Sequence, residues 1–296
     1  MKLIALDHRF TRMEFLRVAA AGAAFWAAGR GSAESGPGAP TGESAATRRI
    51  PIGLQLYSVR NECAKDLPAV LAAVAAMGYE GVEFAGYHGR SAAELRGLLD
   101  QNGLRCCGTH LGIDALTGDE LSRTVEFNRT LGNEFLIVAS LPDERMADRQ
   151  ACLETARSFN EISQQVETYG MRVGYHNHAA DLRPLDGETP WDIVFANTRP
   201  EVVMQVDTAN MLAGGGDPVQ CLRNYPGRAA TLHLKEHSKD HPEALLGEGD
   251  IEWRSLFDVV GAQGATEWFI VEYEGDAPPP LVAVQKCLAN LKKMTR

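Results

Sequence analysis

Eight short apolar runs, each followed by a segment with helical spacing, constrain this chain more than any other feature of its sequence. The runs are Ile52 to Tyr57, Gly81 to Phe84, Leu104 to His110, Phe135 to Ala139, Arg172 to His178, Val202 to Asp207, Ala229 to Lys235 and Trp268 to Glu274. After the first run, Leu67, Val70, Leu71 and Val74 recur at the period of one helix face and stop at Gly78. Further helices are predicted from Ala92 to Leu99, Gly118 to Leu131, Arg149 to Tyr169, Pro190 to Asn197, Pro218 to Tyr225, Trp253 to Gly261 and Leu281 to Lys292. Strands that alternate with helices pair in parallel, because each helix carries the chain back along the sheet. Eight such units predict an α/β fold, a single (β/α)8 TIM barrel, with its active site at the carboxyl ends of the strands. The rival is a doubly wound sheet, but no G-x-G-x-x-G turn follows the first strand to bind a nucleotide.

The amino end reads differently. Lys2, Arg9, Arg12 and Arg17 lead into an apolar run from Val18 to Ala28, and Gly31-Ser32-Ala33 has the small side chains that export peptidases cut. Residues 1–33 are therefore predicted to be an export signal, and the protein to be periplasmic or secreted. Thr11 to Leu16 is similar to a twin-arginine motif, although Met13 stands where the second arginine belongs. If this segment is instead an amphipathic extension, a cytoplasmic location is the alternative. Residues 34–49, rich in Ser, Gly, Pro, Ala and Thr, offer little apolar surface to offset the entropy of ordering and predict a flexible linker. The barrel domain is expected over 50–296. No other stretch is apolar enough to cross a bilayer, so no stable membrane insertion is expected after processing.

A formal net charge of -10 disfavours a nucleic-acid partner, which would need a basic surface. The six cysteines have no C-x-x-C spacing and read as small buried hydrophobes.

The chemistry lies at the ends of the later strands. His176 and His178 close the fifth run and Asp207 the sixth, while His233 and Glu272 each sit between apolar neighbours. On a barrel strand with outward-packed neighbours, His233 and Glu272 point inward. Imidazoles and carboxylates that converge in this way can hold a divalent metal. Each residue also has a plainer reading: Asp207 as a helix or turn cap, His233 as a hydrogen-bonded core histidine, Glu272 as half of a buried salt bridge. Their recurrence on strands five to eight favours the shared ion. His176 and His178 share a face if alternation continues, so either or both could be ligands.

The segments Gly53-Leu-Gln-Leu-Tyr-Ser-Val-Arg60, Gly81-Val-Glu-Phe84, Tyr175-His-Asn-His178, Tyr225-Pro-Gly-Arg228, Leu232-His-Leu-Lys235, Gly247-Glu-Gly249 and Ile270-Val-Glu272 resemble the sugar phosphate isomerase/epimerase family of xylose isomerase-like TIM barrels. The group is also similar to endonuclease IV, to inosose dehydratases and to enzymes of oxidised sugars. The resemblance implies a divalent ion, manganese before zinc, magnesium or cobalt, held by His176, Asp207, His233 and Glu272. It places Glu83, His110, Asn210 and Lys235 where relatives contact substrate. It also marks a departure, because His176 occupies the position of the first of two proton-exchanging glutamates.

The expected reaction is proton abstraction beside a carbonyl through an enediolate, on a sugar or keto-sugar. Glu272 is the expected base, His110 or His178 carries the second proton, and Lys235 offsets developing negative charge. Returning the proton gives an epimerase or isomerase. Expelling a β-substituent gives a lyase acting on keto-sugars or 3-keto-glycosides. A catalytically silent sugar-binding barrel is the third reading, and association into a homo-oligomer is implied by the resemblance alone.

Overall fold

Glycine turns and a closed strand register set the architecture. The computed structural model describes residues 49–275 and 277–295. The expected export signal, and all of the expected linker but Arg49, lie outside the described residues; Arg49 pairs with Glu80. β1 (Ile52–Gln55) leads into α1 (Arg60–Met77), which ends at Gly78 with φ 94°, a left-handed conformation that costs glycine nothing in Cβ clash. β2 (Gly81–Phe84), α2 (Ala92–Asn102), β3 (Arg105–Leu111), α3 (Gly118–Leu131) and β4 (Phe135–Val138) follow. Then come α4 (Arg149–Glu167), β5 (Arg172–His176), α5 (Pro190–Ala196) and β6 (Val203–Asp207). The chain finishes with α6 (Thr208–Ala213), α7 (Pro218–Asn224), β7 (Thr231–Leu234), α8 (Trp253–Gln263), β8 (Trp268–Val271) and α9 (Pro280–Met294). The eight strands form a closed barrel in chain order, and β1 pairs with β8 in parallel to complete it. No described helix is long and apolar enough to cross a membrane.

Alternation divides the side chains between two cores. Outward residues such as Leu54, Val82, Val173, Val206 and Leu232 pack with helix residues such as Leu71, Leu95 and Phe159, and all of these are buried. Burial of each such side chain contributes roughly 1.5–3 kcal/mol. Inside the barrel, Cys107, Phe135, Ile137, Val203, Ala230, Trp268 and Ile270 form a separate apolar plug. Above the plug lies a polar layer of fully buried Gln55, Glu83, Gln205, Thr231 and His233. All six cysteines are buried and unpaired.

A bulge shapes this polar layer. The β2–β3 register shifts between Val82 and Glu83, so that Val82 pairs with Cys106 but Glu83 pairs with Gly108. One extra residue reverses which side chains face inward. Cys107 joins the inner plug, Thr109 bonds outward to Asn128, and His110 turns into the barrel to meet Gln205. Gly108 is required here, because a Cβ at that position would collide with Glu83 Oε1.

Three sequence expectations need correction. β5 stops at His176, so the alternation that would put His178 on the same strand face fails; Asn177 is fully buried instead. A short helix, α6, begins directly after Asp207, so nine α-helices rather than eight accompany the strands in the described residues. The first strand ends at Gln55, and Leu56–Val59 is a 3-10 turn, because the Gln55 side chain accepts a bond from the Tyr57 amide.

Candidate metal centre and active-site cavity

Parallel register brings the candidate ligands together: Asp207 lies beside His233 across β6 and β7, and His176 beside Gln205 across β5 and β6. Glu272 follows the end of β8, and its amide donates to Leu234. The ligand atoms of His176, Asp207, His233 and Glu272 all lie within 4.8 Å of one another, and the four residues are buried. Opposite ligands around an ion at about 2.1 Å stand about 4.2 Å apart, so the set has the dimensions of a metal centre. His110 forms an overlapping group with His176 and His233.

The donor set also fits an ion atom by atom. Asp207 Oδ1 caps α6 by accepting from the Asn210 amide at 2.7 Å, whereas Oδ2 is buried and makes no hydrogen bond. The residue is thus both cap and candidate ligand, and a buried carboxylate oxygen with no hydrogen bond, only His233 Nδ1 at 3.9 Å, is an atom a cation would satisfy. Burial, with the Glu272 charge nearby, pushes the Asp207 carboxyl up to about 6.

The two histidines are oriented by groups beneath them. Gln205 Nε2 donates to Glu83 Oε1 at 2.8 Å and to Thr231 Oγ1 at 3.0 Å. This fixes its amide, since an ionised carboxylate only accepts. Gln205 Oε1 therefore accepts from His110 Nε2 at 2.7 Å and from His176 Nδ1 at 3.1 Å. The His176 Nε2 lone pair then meets only a long contact from Asn210 Nδ2 at 3.5 Å and can turn to an ion. Burial, followed by the charges of His233 and His110, holds the His176 imidazole well below its usual range and hence neutral. His233 is held from below by Glu83, with Nε2 to Oε2 at 2.6 Å, while its Nδ1 faces Glu272 Oε2 at 2.5 Å. A carboxylate that grips the remote nitrogen of a ligating histidine fixes ring and tautomer.

Burial opposes protonation of His233, but the flanking Glu83 and Glu272 carboxylates raise it to about 10. Glu272 lies well below the usual carboxylate range: burial raises it, and the hydrogen bond from His233 with the charges of His233 and Lys235 outweighs that. An ion at His233 Nδ1 must expel the proton that stands there. Between the values of about 6 for Asp207 and about 10 for His233, uptake is expected to release one proton, and affinity to rise ~tenfold per pH unit. As pH falls through about 6, protonation of Asp207 adds a second competing proton and steepens the loss. Calorimetric titration with Mn2+ in two buffers of different ionisation enthalpy measures the release; zero protons near neutral pH would contradict this arrangement.

Over these groups opens a cavity of about 450 Å3, lined by His110, His176, His178, Asn210, Lys235 and Glu272 among others. His178 is exposed, 5.2 Å from the His176 ring between centroids, and outside the four-residue group. Asn210 Nδ2 donates to the Asn177 carbonyl at 3.1 Å and lies 3.5 Å from His176 Nε2. Lys235 Nζ donates to Glu274 Oε1 at 2.6 Å and stands 3.6 Å from Glu272 Oε1. Burial works against its charge, but Asp207, Glu272 and Glu274 together keep it protonated. Glu83 is placed differently from a substrate contact: it is fully buried below the histidines, and its oxygens bond Gln55, Gln205 and His233.

Sequence reasoning passed over Gln55, Gln205 and Glu274. Gln205 carried a usable signal, because it lies two residues before Asp207 and so shares its inward face. Glu274 lies beyond a strand end, where alternation gives no direction.

The family model for the xylose isomerase-like TIM barrel matches residues 71–294. The chain belongs to this family. Among curated relatives, an inosose dehydratase of Geobacillus kaustophilus (strain HTA426) is 25% identical over 264 residues, which cover 76% of this chain and 84% of the relative. The rhizopine catabolism protein MocC of Rhizobium meliloti is 23% identical over 258 residues, covering 73% and 78%. Among solved structures, a sugar phosphate isomerase/epimerase from Parabacteroides distasonis ATCC 8503 aligns with TM-score 0.72 at 24% identity, over 83% of this chain and 98% of that one. An L-ribulose 3-epimerase aligns with TM-score 0.61 at 14% identity, over 83% and 94%. The two structures establish likeness of fold. A xylose isomerase-like barrel with a His-Asp-His-Glu cluster is consistent with a metal-dependent enzyme that modifies sugars.

Proposed function

We propose that this family member is a metal-dependent lyase of the dehydratase type, acting on a keto-sugar or keto-polyol. The observation that carries this reading is the asymmetry of the site: Glu272 faces a neutral His176 rather than a second carboxylate. Glu274 also lines the cavity but is tied to Lys235, and Glu83 is sealed below. An epimerase that removes a proton on one face and returns one on the other gains from two bases; an elimination needs one base and one acid. The inosose dehydratase among the relatives supports the same direction.

His176, Asp207, His233 and Glu272 would hold the ion. Two imidazoles with two carboxylates suit manganese, zinc or cobalt better than magnesium, and manganese is our choice. When bound, the ion supplies Lewis-acid polarisation of the substrate carbonyl. Glu272 takes the proton from the carbon beside that carbonyl. The C–H electron pair forms the enolate double bond, and Lys235 offsets the negative charge on its oxygen. When the carbonyl re-forms, the pair forms a carbon–carbon double bond and expels the β-hydroxyl. His178 or His110 protonates that hydroxyl, which leaves as water. Asn210 orients the hydroxyl next to the carbonyl.

The test is incubation of the manganese-loaded protein with an inosose, a 3-keto-glucoside and free ketoses in deuterated water. Loss of water or of a glycosidic substituent from a keto-cyclitol or keto-glycoside is the expected result. Epimerised free ketose carrying one solvent deuteron, with no elimination from any substrate, would replace this reading with the epimerase.

A further inference from the structure

The cavity above the candidate metal centre has a second half that the proposed reaction uses only at His110. The ends of β5 to β8 supply the polar wall, with neutral His176 beside the charged Lys235, Glu272 and Glu274. Besides Gln55 and His110, the ends of β1 to β4 supply Tyr57, Ala85, Leu111, Gly112, Ala139 and Ser140, none of these six charged. Tyr57 is the one large aromatic among the described lining residues, and 44% of its surface remains exposed although it borders the cavity.

The ring is held rather than loose. The Tyr57 amide donates to Gln55 Oε1 at 3.0 Å, and the Arg60 guanidinium covers the ring 4.4 Å from its centroid. Arg60 also donates to the Tyr57 carbonyl at 2.9 Å. With Arg60 on one side and 44% exposure remaining, the ring offers uncovered aromatic surface at the mouth. Such a surface receives the face of a sugar ring or an aromatic group.

The same half is poorly suited to a phosphate, which needs free cations or converging N–H donors. Among the described lining residues the only lysine or arginine is Lys235, and its ammonium is engaged by Glu274 at 2.6 Å. Arg60 is occupied by the Tyr57 ring and carbonyl.

We infer that the β1–β4 half of the cavity is a subsite for an apolar substituent of the sugar, an aryl or alkyl aglycone, with Tyr57 as its stacking platform. The inference rests on the lyase reading for the sugar it extends. It narrows the substrate class from keto-sugars at large to keto-glycosides, and it disfavours sugar phosphates.

The test is binding rather than turnover, so it is separate from the reaction itself. Saturation-transfer NMR titrations of the full chain in a magnesium buffer would use phenyl β-glucoside, glucose and glucose 6-phosphate as probes. The phenyl protons are expected to receive the strongest saturation, and phenyl glucoside to bind about three- to ten-fold more tightly than glucose, the range for one aromatic contact. Tyr57→Ala should erase that advantage and Tyr57→Phe should keep it. Glucose 6-phosphate as the tightest probe, an advantage unchanged in Tyr57→Ala, or no binding by phenyl glucoside would each overturn the subsite. Failure of the lyase reading would appear elsewhere, as absence of elimination from every keto-sugar tested.

Discussion

Glu272→Gln is expected to lower turnover by about 10³- to 10⁴-fold, near the upper range for removal of a general base. Glutamine is close in size and keeps an oxygen toward the centre, so the barrel should remain folded. It cannot take a proton at neutral pH, and it deprives His233 Nδ1 of the anion 2.5 Å away. The substitution also weakens one of the four proposed ligands, so metal affinity falls as well. Turnover measured at saturating Mn2+ separates the effects: restoration to wild-type rate by excess ion would leave Glu272 as a ligand only.

The second large effect is expected at Glu83, and it concerns stability and metal affinity before substrate. Glu83→Ala leaves the buried His233 without the carboxylate at its Nε2 and leaves Gln55 and Gln205 amide donors unpaired. Removing one partner of a buried charged pair costs about 3–5 kcal/mol. Glu83→Gln retains volume and an acceptor oxygen but replaces the other oxygen with a donor. It should fold, and its metal affinity should fall about 10- to 100-fold, as for loss of the group that orients a ligating histidine. Denaturant unfolding and Mn2+ titration measure the two quantities. A variant with wild-type stability and metal affinity but a raised KM would return Glu83 to the substrate-contact role that family resemblance suggests.

These two carboxylates also show what the sequence could and could not convey. The barrel was legible because eight apolar runs alternated with helices, and that pattern has few folded solutions. His233 and Glu272 were legible as inward residues because their neighbours are apolar and strand alternation is strict. The role of Glu83 was not, since a carboxylate at a strand end reads alike whether it meets substrate or the underside of a histidine. His110 faces inward through the bulge at Gly108, and a single-residue register shift leaves no mark in hydrophobic periodicity. His178 left its strand because β5 ends two residues early and Asn177 turns in to accept from the Asp207 amide at 2.7 Å. Asp207 shows why competing readings of one residue need not exclude each other: one oxygen caps α6 while the other stays open to an ion.

The central claim is that His176, Asp207, His233 and Glu272 form a divalent metal centre. Its most direct test is the metal content of the protein purified without chelator, beside an Asp207→Ala, His233→Ala double variant with folding checked by circular dichroism. The account predicts about one divalent ion per chain, lost in the folded double variant. No bound metal in the unsubstituted protein, even after soaking with manganese, zinc or cobalt, would contradict it.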